Sequence, residues 1–280
     1  MNSLSDIIIS ASQKLTDSDS ARLDAELIWA HVLGRDRTWL FTWPEYQPSS
    51  EEISEFQKLI ARRIEGEPIA YILSRREFWG LSLECNASTL IPRPETELLV
   101  ERALSLDLPD CAKILDLGTG TGAIALALAL ERPSWDITAV ELSESAFELA
   151  QSNARNLNIL SVDWLQGSWF EPIGNDTLFD LIITNPPYVE EHSPCLKEGD
   201  VRFEPRTALT AGRDGMQDIK LIAEFAIDYL VDGGYLLIEH GFNQKNSVSS
   251  ELEKHRYLSV NGLKDLSGLD RAVLARAPKD

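Results

Sequence analysis

From residue 110 onwards the sequence alternates short apolar segments with longer segments of helical periodicity, and this alternation restricts the possible folds more than any other feature. The apolar segments predict strands over 112–117, 135–142, 160–166, 179–184, 234–240, 257–260 and 272–277. Three of the segments between them predict helices over 123–131, 144–156 and 218–231. Strands that alternate with helices form a parallel sheet covered by helices on both faces. The pattern therefore predicts an α/β fold with a doubly wound, seven-stranded sheet.

The first 75 residues carry apolar side chains at helical spacing instead. Ser49 and Glu52 have the spacing of a capping box, and Gly34 stands where a helix is expected to stop. The segment from Glu77 to Ile91 has the composition of a β-hairpin, with Asn86 between its two strands. We therefore predict three parts, which are a small helical domain over 1–75, a β-hairpin linker over 76–92 and an α/β domain over 93–280.

The charge balance and the cysteine count argue against several classes of partner. The chain has 26 Lys and Arg against 45 Asp and Glu, a net charge of −19, which repels the phosphate backbone of DNA or RNA. Its 3 cysteines and 4 histidines lack the spacing of a disulfide framework or a metal site. The first residues do not resemble a signal peptide, and no apolar run reaches membrane-spanning length. We therefore expect a cytoplasmic protein with no metal, no nucleic-acid partner and no membrane contact.

A glycine-rich turn, Gly118-Thr119-Gly120-Thr121-Gly122, lies between the first strand and the first helix predicted in the α/β part. Glycines let a ligand approach the backbone closely, and the start of the helix offers free N–H groups. Glu141 follows the second strand, 23 positions after Gly118, where an acid can accept hydrogen bonds from both ribose hydroxyls. This context predicts an adenosine-type cofactor, although the motif alone fits NAD as well as S-adenosylmethionine.

The strand predicted over 179–184 ends in a stiff corner, Asn185-Pro186-Pro187-Tyr188. Proline fixes φ and lacks an N–H, so the corner is rigid and its carbonyls have no competing local donor. The side-chain oxygen of Asn185 and the carbonyl of Pro186 are neighbouring acceptors that suit the two hydrogens of a planar –NH2 group, and Tyr188 would form a flat wall against it. Beside an adenosine-type cofactor, such a site indicates group transfer to an amide or amino nitrogen, and therefore S-adenosylmethionine.

Seven short segments distributed over the chain carry a family resemblance. They are GEPIAYI over 66–72, EFWG over 77–80, LIPRPETE over 90–97, DLGTGTG over 116–122, NPPY over 185–188, RFEP over 202–205 and EHG over 239–241. With these segments, the chain resembles the release factor glutamine N5-methyltransferases, the HemK/PrmC type of class I methyltransferase. The resemblance implies a substrate-recognising helical domain, a seven-stranded methyltransferase domain and a substrate, the glutamine of the Gly-Gly-Gln motif in class-I peptide chain release factors. We expect the protein to be a monomer.

The resemblance also implies which residues hold the cofactor. Residues 118–122 would hold the methionine and ribose part, Glu141 the ribose hydroxyls and Trp169 the adenine ring, and Asn185 would contact the cofactor as well as the substrate. The product would be S-adenosylhomocysteine. The family commonly has an acid just before the tryptophan, where this chain has Ser168. We therefore expect a weaker contact with the adenine amino group at that position.

On the substrate side, Asn185, Pro186, Pro187 and Tyr188 would grip the carboxamide, and Asn185, Pro186 and Tyr188 would be the catalytic residues. By accepting both N–H bonds, Asn185 and Pro186 would direct the nitrogen lone pair towards the methyl group. No nearby side chain is an evident general base. The proline-rich segment 92–97 starts a helix, and its role remains open between a plain linker and a contact with cofactor or substrate.

Two other functions fit parts of the same pattern. The proline corner also suits the exocyclic amine of adenine, as in an N6-adenine nucleic-acid methyltransferase that extrudes its target base. The charge of −19 and the lack of a basic stripe weigh against that substrate. A non-catalytic module that binds release factors or ribosomes would not need the glycine turn and the proline corner together. Methylation of glutamine in release factors is therefore the predicted function.

Overall fold

The computed structural model describes residues 3–279, and the chain divides into two units. The N-terminal unit is the chain up to Arg75 together with Lys197–Phe203, and the C-terminal unit is Arg76–Leu196 together with the chain from Glu204 onwards. Residues 76–92, predicted as a linker, fall within the C-terminal unit. Within residues 3–279, every helix is too short or too polar to cross a bilayer.

The N-terminal unit is helical, as the periodicity predicted. Its helices are α1 (Leu4–Ser12), α2 (Ala21–Leu33), α3 (Arg37–Thr42), α4 (Ser50–Ile64) and α5 (Ile69–Ile72). The predicted capping box starts α4, because the Ser49 side chain accepts from the Glu52 N–H and the Glu52 carboxylate accepts from the Ser49 N–H. Gly34 ends α2 in the left-handed conformation, with φ of 59°.

A buried ion pair fastens the segment Lys197–Phe203 within the N-terminal unit. The Arg63 guanidinium donates to Asp24 Oδ2 at 2.8 Å and to Asp200 Oδ1 at 3.1 Å. The side chains of Arg63 and Asp24 are only 12% and 4% exposed, so the two charges neutralise each other in a largely dry environment. Arg202 adds a hydrogen bond to the Glu65 carbonyl at 2.9 Å. The chain therefore contributes to this unit a second time, shortly after the proline corner.

The hairpin lies earlier and is shorter than predicted. Its strands are β1 (Arg75–Phe78) and β2 (Leu81–Glu84), and the turn between them is Trp79-Gly80 rather than Asn86. Trp79 and Gly80 both have positive φ, 51° and 72°, as in the two-residue turns whose twist matches that of the flanking strands. The prediction of a second strand at residues 89–91 was wrong, since these residues form a turn and an irregular segment.

The predicted seven-stranded sheet is confirmed in the C-terminal unit. Its strands are β3 (Lys113–Leu117), β4 (Asp136–Glu141), β5 (Val162–Gln166), β6 (Phe179–Thr184), β7 (Leu230–Glu239), β8 (Leu258–Lys264) and β9 (Asp270–Arg276). Their order is β5-β4-β3-β6-β7-β9-β8. The first five strands in this order, β5, β4, β3, β6 and β7, are parallel to one another, whereas β9 is antiparallel to both β7 and β8.

Helices cover both faces of this sheet, which makes it doubly wound. They are α6 (Glu97–Leu104), α7 (Ala123–Glu131), α8 (Glu144–Asn156), α9 (Gln217–Phe225) and α10 (Lys245–Lys254). Short 3-10 turns lie at Pro94–Thr96, Pro194–Lys197, Asp200–Phe203, Arg206–Ala208 and Ala226–Tyr229. The helix predicted over 218–231 was too long, because the chain tightens into the last of these turns and then enters β7.

The period-2 alternation of the strands divides the core into two layers. Ile183 and Leu237 face the layer that contains α6 and α7, whereas Ile182 and Leu236 face the layer that contains α9 and α10. All four side chains are fully buried. Near-continuous apolar runs such as the one in β6 are therefore required, because a strand in the middle of the sheet is covered on both faces.

The Asn153 side chain connects helix α8 with the end of β2 and with the glycine turn. Its side chain, on α8, accepts from the Glu84 N–H at 2.6 Å and donates to the carbonyls of Glu84 and Thr121 at 3.2 and 3.0 Å. The residue is 1% exposed. One buried amide group therefore satisfies polar backbone atoms at the end of β2 and in the glycine turn.

We predict that Asn153→Ala lowers the free energy of unfolding by about 3 kcal/mol, because the buried Thr121 carbonyl and the partly buried N–H and carbonyl of Glu84 lose their partner. Asn156→Ala is the matched control. This asparagine lies on the same helix and also bonds to Glu84, but it is exposed, so its loss is expected to cost less than about 0.5 kcal/mol. Urea denaturation followed by tryptophan fluorescence measures both values, and equal losses in the two variants would contradict the argument.

Candidate active site

The predicted site residues of the C-terminal unit meet at one edge of the sheet. Leu117, the last residue of β3, pairs with Val140 of β4 on one side and with Thr184 of β6 on the other. Gly118 and Asn185, which follow β3 and β6, therefore lie side by side with Glu141, the last residue of β4. This convergence results from the parallel register, because the carboxyl ends of neighbouring parallel strands lie at the same edge.

The glycine turn takes a backbone path that requires glycine. Gly118, Gly120 and Gly122 have φ values of 70°, 58° and 83°, in the left-handed region that side chains disfavour. A β-carbon at Gly118 would lie 3.3 Å from the Trp169 ring, whereas one at Gly120 would meet no atom within 4 Å. Gly120 therefore faces open space, and the turn exposes its backbone there.

Asp116 supports the turn from below. Its carboxylate accepts from the Thr119 hydroxyl at 2.5 Å and from the Ala125 N–H in the first turn of α7. A negative group at the start of a helix is favoured by the helix dipole. Burial nevertheless raises the pKa of Asp116 to about 7, because these bonds only partly offset its desolvation and the charge of Glu141 adds to the rise.

Glu141 is fixed to the same turn. Its carboxylate accepts from the Gly120 N–H and from the Ser143 N–H, each at 2.9 Å. A carboxylate has about four acceptor positions, so both oxygens retain capacity for further hydrogen bonds. Glu141 is partly exposed and lines the cavity described below.

Trp169 lies over the glycine turn and borders the cavity together with Ser168 and Asp218. Burial raises the pKa of the Asp218 carboxyl, and a hydrogen bond from the Trp169 side chain opposes that rise. Asp218, which the sequence did not single out, therefore places an acid beside Trp169, the residue after Ser168. No local pattern in the sequence could have linked Trp169 with Asp218, because they are 49 positions apart.

Asn185 has an unusual arrangement of hydrogen bonds. Its side-chain nitrogen Nδ2 donates to the Thr96 hydroxyl at 3.2 Å. Its side-chain oxygen Oδ1 is buried and has no hydrogen-bond partner among the described residues. A buried acceptor without a partner costs about 1–3 kcal/mol, so an acceptor held in this way at the wall of a cavity indicates a ligand that donates.

The rest of the proline corner is held by its neighbours. The Tyr188 N–H donates to the Leu209 carbonyl at 3.2 Å, and the Tyr188 carbonyl accepts from the Gln244 side chain at 3.0 Å. Pro187 lines the cavity with Asn185, but Pro186 and Tyr188 are not among its lining residues. The Tyr188 hydroxyl points to Glu239, at 3.3 Å, and burial raises its pKa. The roles of Pro186 as second acceptor and of Tyr188 as a flat wall remain predictions.

A cavity of about 480 Å³ joins these groups within the C-terminal unit. Ligand sites in proteins measure roughly 300–1,000 Å³. Arg93 is the cationic side chain among the described lining residues, and its guanidinium pairs with the buried carboxylate of Glu204 at 2.6 Å. Arg93 and Thr96 bring the segment 92–97 into the cavity wall, and a contact of this segment with cofactor or substrate stays a prediction. Among residues 3–279, no three His, Cys, Asp or Glu side chains are grouped closely enough to hold a metal ion.

Two protein families match separate parts of the chain. Residues 6–73 match the family described as the PrmC N-terminal domain, and residues 94–197 match the Methyltransferase small domain. The first match lies in the N-terminal unit. The second contains the glycine turn, Glu141, Trp169 and the proline corner.

Relatives match over nearly the whole chain. The release factor glutamine methyltransferase of Aliivibrio fischeri is 47% identical over 94% of this chain and 92% of its own length. The protein of the same name from Pseudomonas aeruginosa is 48% identical over 94% of this chain and 95% of its own length. Among solved structures, a methyltransferase from Pyrococcus furiosus aligns with a TM-score of 0.55 and 21% identity, over 78% of this chain and 97% of that protein. The last similarity concerns the fold alone.

The buried acid beneath the glycine turn predicts a pH effect on stability. The pKa of Asp116 is about 7 in the folded state and 3.8 for the ordinary side chain, so the folded state favours the protonated form. The contribution of Asp116 to the free energy of unfolding is therefore fully present below pH 4 and is lost as the pH rises to 7. We predict that the Asp116→Asn variant does not show this dependence on pH. The free energy of unfolding of wild type should therefore fall by about 1.4 kcal/mol per pH unit relative to the variant over this range. Urea denaturation at pH 4.5 to 7.5 measures the difference, with the exposed Asp163→Asn as control. A constant difference between wild type and Asp116→Asn would contradict the assignment.

Proposed function

Because the chain belongs to the release factor glutamine methyltransferase family, we propose that it methylates the side-chain amide nitrogen, N5, of a glutamine in peptide chain release factors. The methyl donor is S-adenosylmethionine, and the target is the glutamine of the Gly-Gly-Gln motif in class-I release factors. The observation that carries the proposal is the buried, unpaired Oδ1 of Asn185 at the cavity wall. A primary carboxamide has two N–H hydrogens, and one of them would satisfy this oxygen.

The residues of the cavity fit the proposed cofactor. Gly120 leaves open space above the turn, and Glu141 retains acceptor positions for the two ribose hydroxyls. The Trp169 ring offers a flat apolar surface for adenine, and Asp218 beside it offers an acceptor for the adenine amino group. Arg93 is the cation that would attract the carboxylate of the methionine part. When bound, S-adenosylmethionine supplies an electrophilic methyl carbon on a sulfonium group.

The protein has to overcome the weak nucleophilicity of an amide nitrogen. The lone pair of that nitrogen is delocalised into the carbonyl group, and it becomes available as the nitrogen turns towards tetrahedral geometry. Asn185 Oδ1 and the Pro186 carbonyl would accept the two N–H bonds and hold the nitrogen in that geometry. Such positioning can lower a barrier by several kcal/mol. The remaining acceptor positions of Glu141 would be occupied by the ribose hydroxyls. We therefore assign no general base, and the proton leaves to solvent after methyl transfer.

Mass spectrometry of a purified class-I release factor tests the proposal directly. After incubation with this protein and S-adenosylmethionine, we expect a mass gain of one methyl group, located on the Gly-Gly-Gln glutamine by fragmentation. A release factor with alanine in place of that glutamine is the control and should gain no mass. Absence of a methyl group on the glutamine, or methylation of adenine in added nucleic acid instead, would refute the proposed substrate.

Asn185→Ala should lower the turnover number by about 10² or more, because the acceptor that orients the amide is lost. Cofactor affinity should change little, since the glycine turn, Glu141 and Trp169 remain in place. Single-turnover kinetics and a calorimetric titration with S-adenosylmethionine measure the two quantities. The control is Asn175→Ala in an exposed turn, which should behave like wild type. Near-normal turnover of Asn185→Ala would rule out the clamp.

A further inference from the structure

The amide of Asn185 can be turned about its axis to exchange its oxygen and its nitrogen, and only one orientation provides an acceptor at the cavity wall. The residue that selects the orientation must therefore distinguish –NH2 from C=O. The Asn185 side chain contacts the Thr96 hydroxyl, and Thr96 is 5% exposed. A hydroxyl both donates and accepts, so the hydroxyl alone does not decide between the two orientations.

Glu239 resolves this ambiguity. The carboxyl group of this residue, at the end of β7, is 1% exposed and lies within hydrogen-bonding reach of the Thr96 side chain. Its Oε1 accepts from the Tyr188 hydroxyl at 3.3 Å, whereas its Oε2 has no hydrogen-bond partner of good geometry among the described residues and so retains acceptor capacity. A carboxylate only accepts hydrogen bonds. The single hydrogen of Thr96 is therefore directed to Glu239, and the lone pairs of Thr96 are left for a donor.

We propose that Thr96 and Glu239 are positioning residues that fix the amide of Asn185 with its oxygen towards the cavity. The sequence of bonds runs from the Asn185 –NH2 group to the Thr96 oxygen, and from the Thr96 hydrogen to the Glu239 carboxylate. In the reversed orientation, the Asn185 oxygen would face the Thr96 oxygen. Either two acceptors would then meet, or the Thr96 hydrogen would turn to Asn185 and the carboxylate would lose its donor. This inference rests on the proposed function, because it concerns how the same clamp is oriented.

The backbone around Thr96 is held firmly enough for this role. Thr96 lies in the 3-10 turn Pro94–Thr96, its N–H donates to the Arg93 carbonyl, and prolines 92 and 94 restrict the path that leads to it. Arg93 is fixed by its pair with Glu204, and the Glu97 carboxylate accepts from the Trp79 N–H at 2.8 Å. A change at Thr96 is therefore expected to affect the hydroxyl interaction more than the position of the backbone.

Three charged or titratable groups on neighbouring elements face Glu239. Arg271 on β9 lowers its pKa, the Tyr188 hydrogen bond lowers it too, and Glu95 in the 3-10 turn raises it. Burial is the largest cause, and the pKa of Glu239 is raised to about 7. The next residue, His240, has its own pKa lowered by burial. Below pH 7 a protonated Glu239 carboxyl group donates its hydrogen to the Thr96 oxygen. The Thr96 hydrogen is then free to point to Asn185, where it favours the reversed orientation with the amide oxygen facing Thr96.

The first test compares two substitutions at Thr96. Thr96→Val keeps the shape but removes the hydroxyl, and we expect kcat for glutamine methylation to fall about 10-fold or more, with less than a 3-fold change in the dissociation constant of S-adenosylmethionine. Thr96→Ser keeps the hydroxyl and should restore most of the lost kcat. Circular dichroism and thermal unfolding establish that both variants are folded. Equal impairment of both variants would assign the effect to packing and overturn the proposal, as would wild-type kcat in Thr96→Val.

The second test uses Glu239→Gln and the pH profile of kcat between pH 6 and 8. Wild type should lose activity as the pH falls through about 7, whereas the variant, with no ionisable group at this position, should have a lower kcat without that loss. Asp116 also has a pKa of about 7 and is still present in the Glu239→Gln variant. If the variant lost activity with falling pH in the same way as wild type, the loss would belong to another group and the role of Glu239 would be overturned.

Wild-type methylation of glutamine is measured first. Its absence would refute the proposed function, whereas normal methylation with unaffected variants would refute only the positioning network.

Discussion

The in-register pairing of β3 with both β4 and β6 is the constraint on which the site depends. The chain runs from β3 outwards through β4 to β5 and then returns to place β6 on the other side of β3. The loops after β3 and β6 therefore leave in opposite directions and open a crevice between them, where ligands bind in sheets of this kind. The glycine turn follows β3 and the proline corner follows β6. A shift of either strand by one residue would move each of its side chains into the other core layer and would misalign the two motifs.

The site retains buried polar groups whose burial opposes folding. Asp116 and Glu239 are both almost completely buried, and desolvation raises the pKa of each to about 7. Each interacts with a single threonine hydroxyl, Thr119 or Thr96, that is fixed by the turn on which it lies. Local rules for a stable core are expected to fail at functional sites. Here the two exceptions lie beside the glycine turn and beside the proline corner.

The sequence predicted those parts of the structure that depend on local pattern. The strands, the capping box at Ser49 and the convergence of Gly118, Glu141 and Asn185 all follow from periodicity and chain order. The hairpin turn was misplaced because Trp79-Gly80 lies inside an aromatic run, while Asn86 is the more familiar turn residue. The partnerships of Thr96 with Asn185 and with Glu239 span 89 and 143 positions. Pairs so distant depend on side chains that meet only after the sheet has formed, and no local pattern encodes them.

An asparagine at position 185 meets a requirement that no other side chain of this size meets. An aspartate would present two acceptors to the cavity, but it could not donate to Thr96, whose own hydrogen is directed to Glu239. It would also place a further negative charge near the buried Glu239, whose pKa is already raised by burial and by the charge of Glu95. The carboxamide supplies one donor for the internal anchor and one neutral acceptor for the ligand. The Asn185 nitrogen that donates to Thr96 and the Asn185 oxygen at the cavity wall belong to one planar amide group. The hydrogen bond that fixes the nitrogen therefore also fixes the direction of the oxygen.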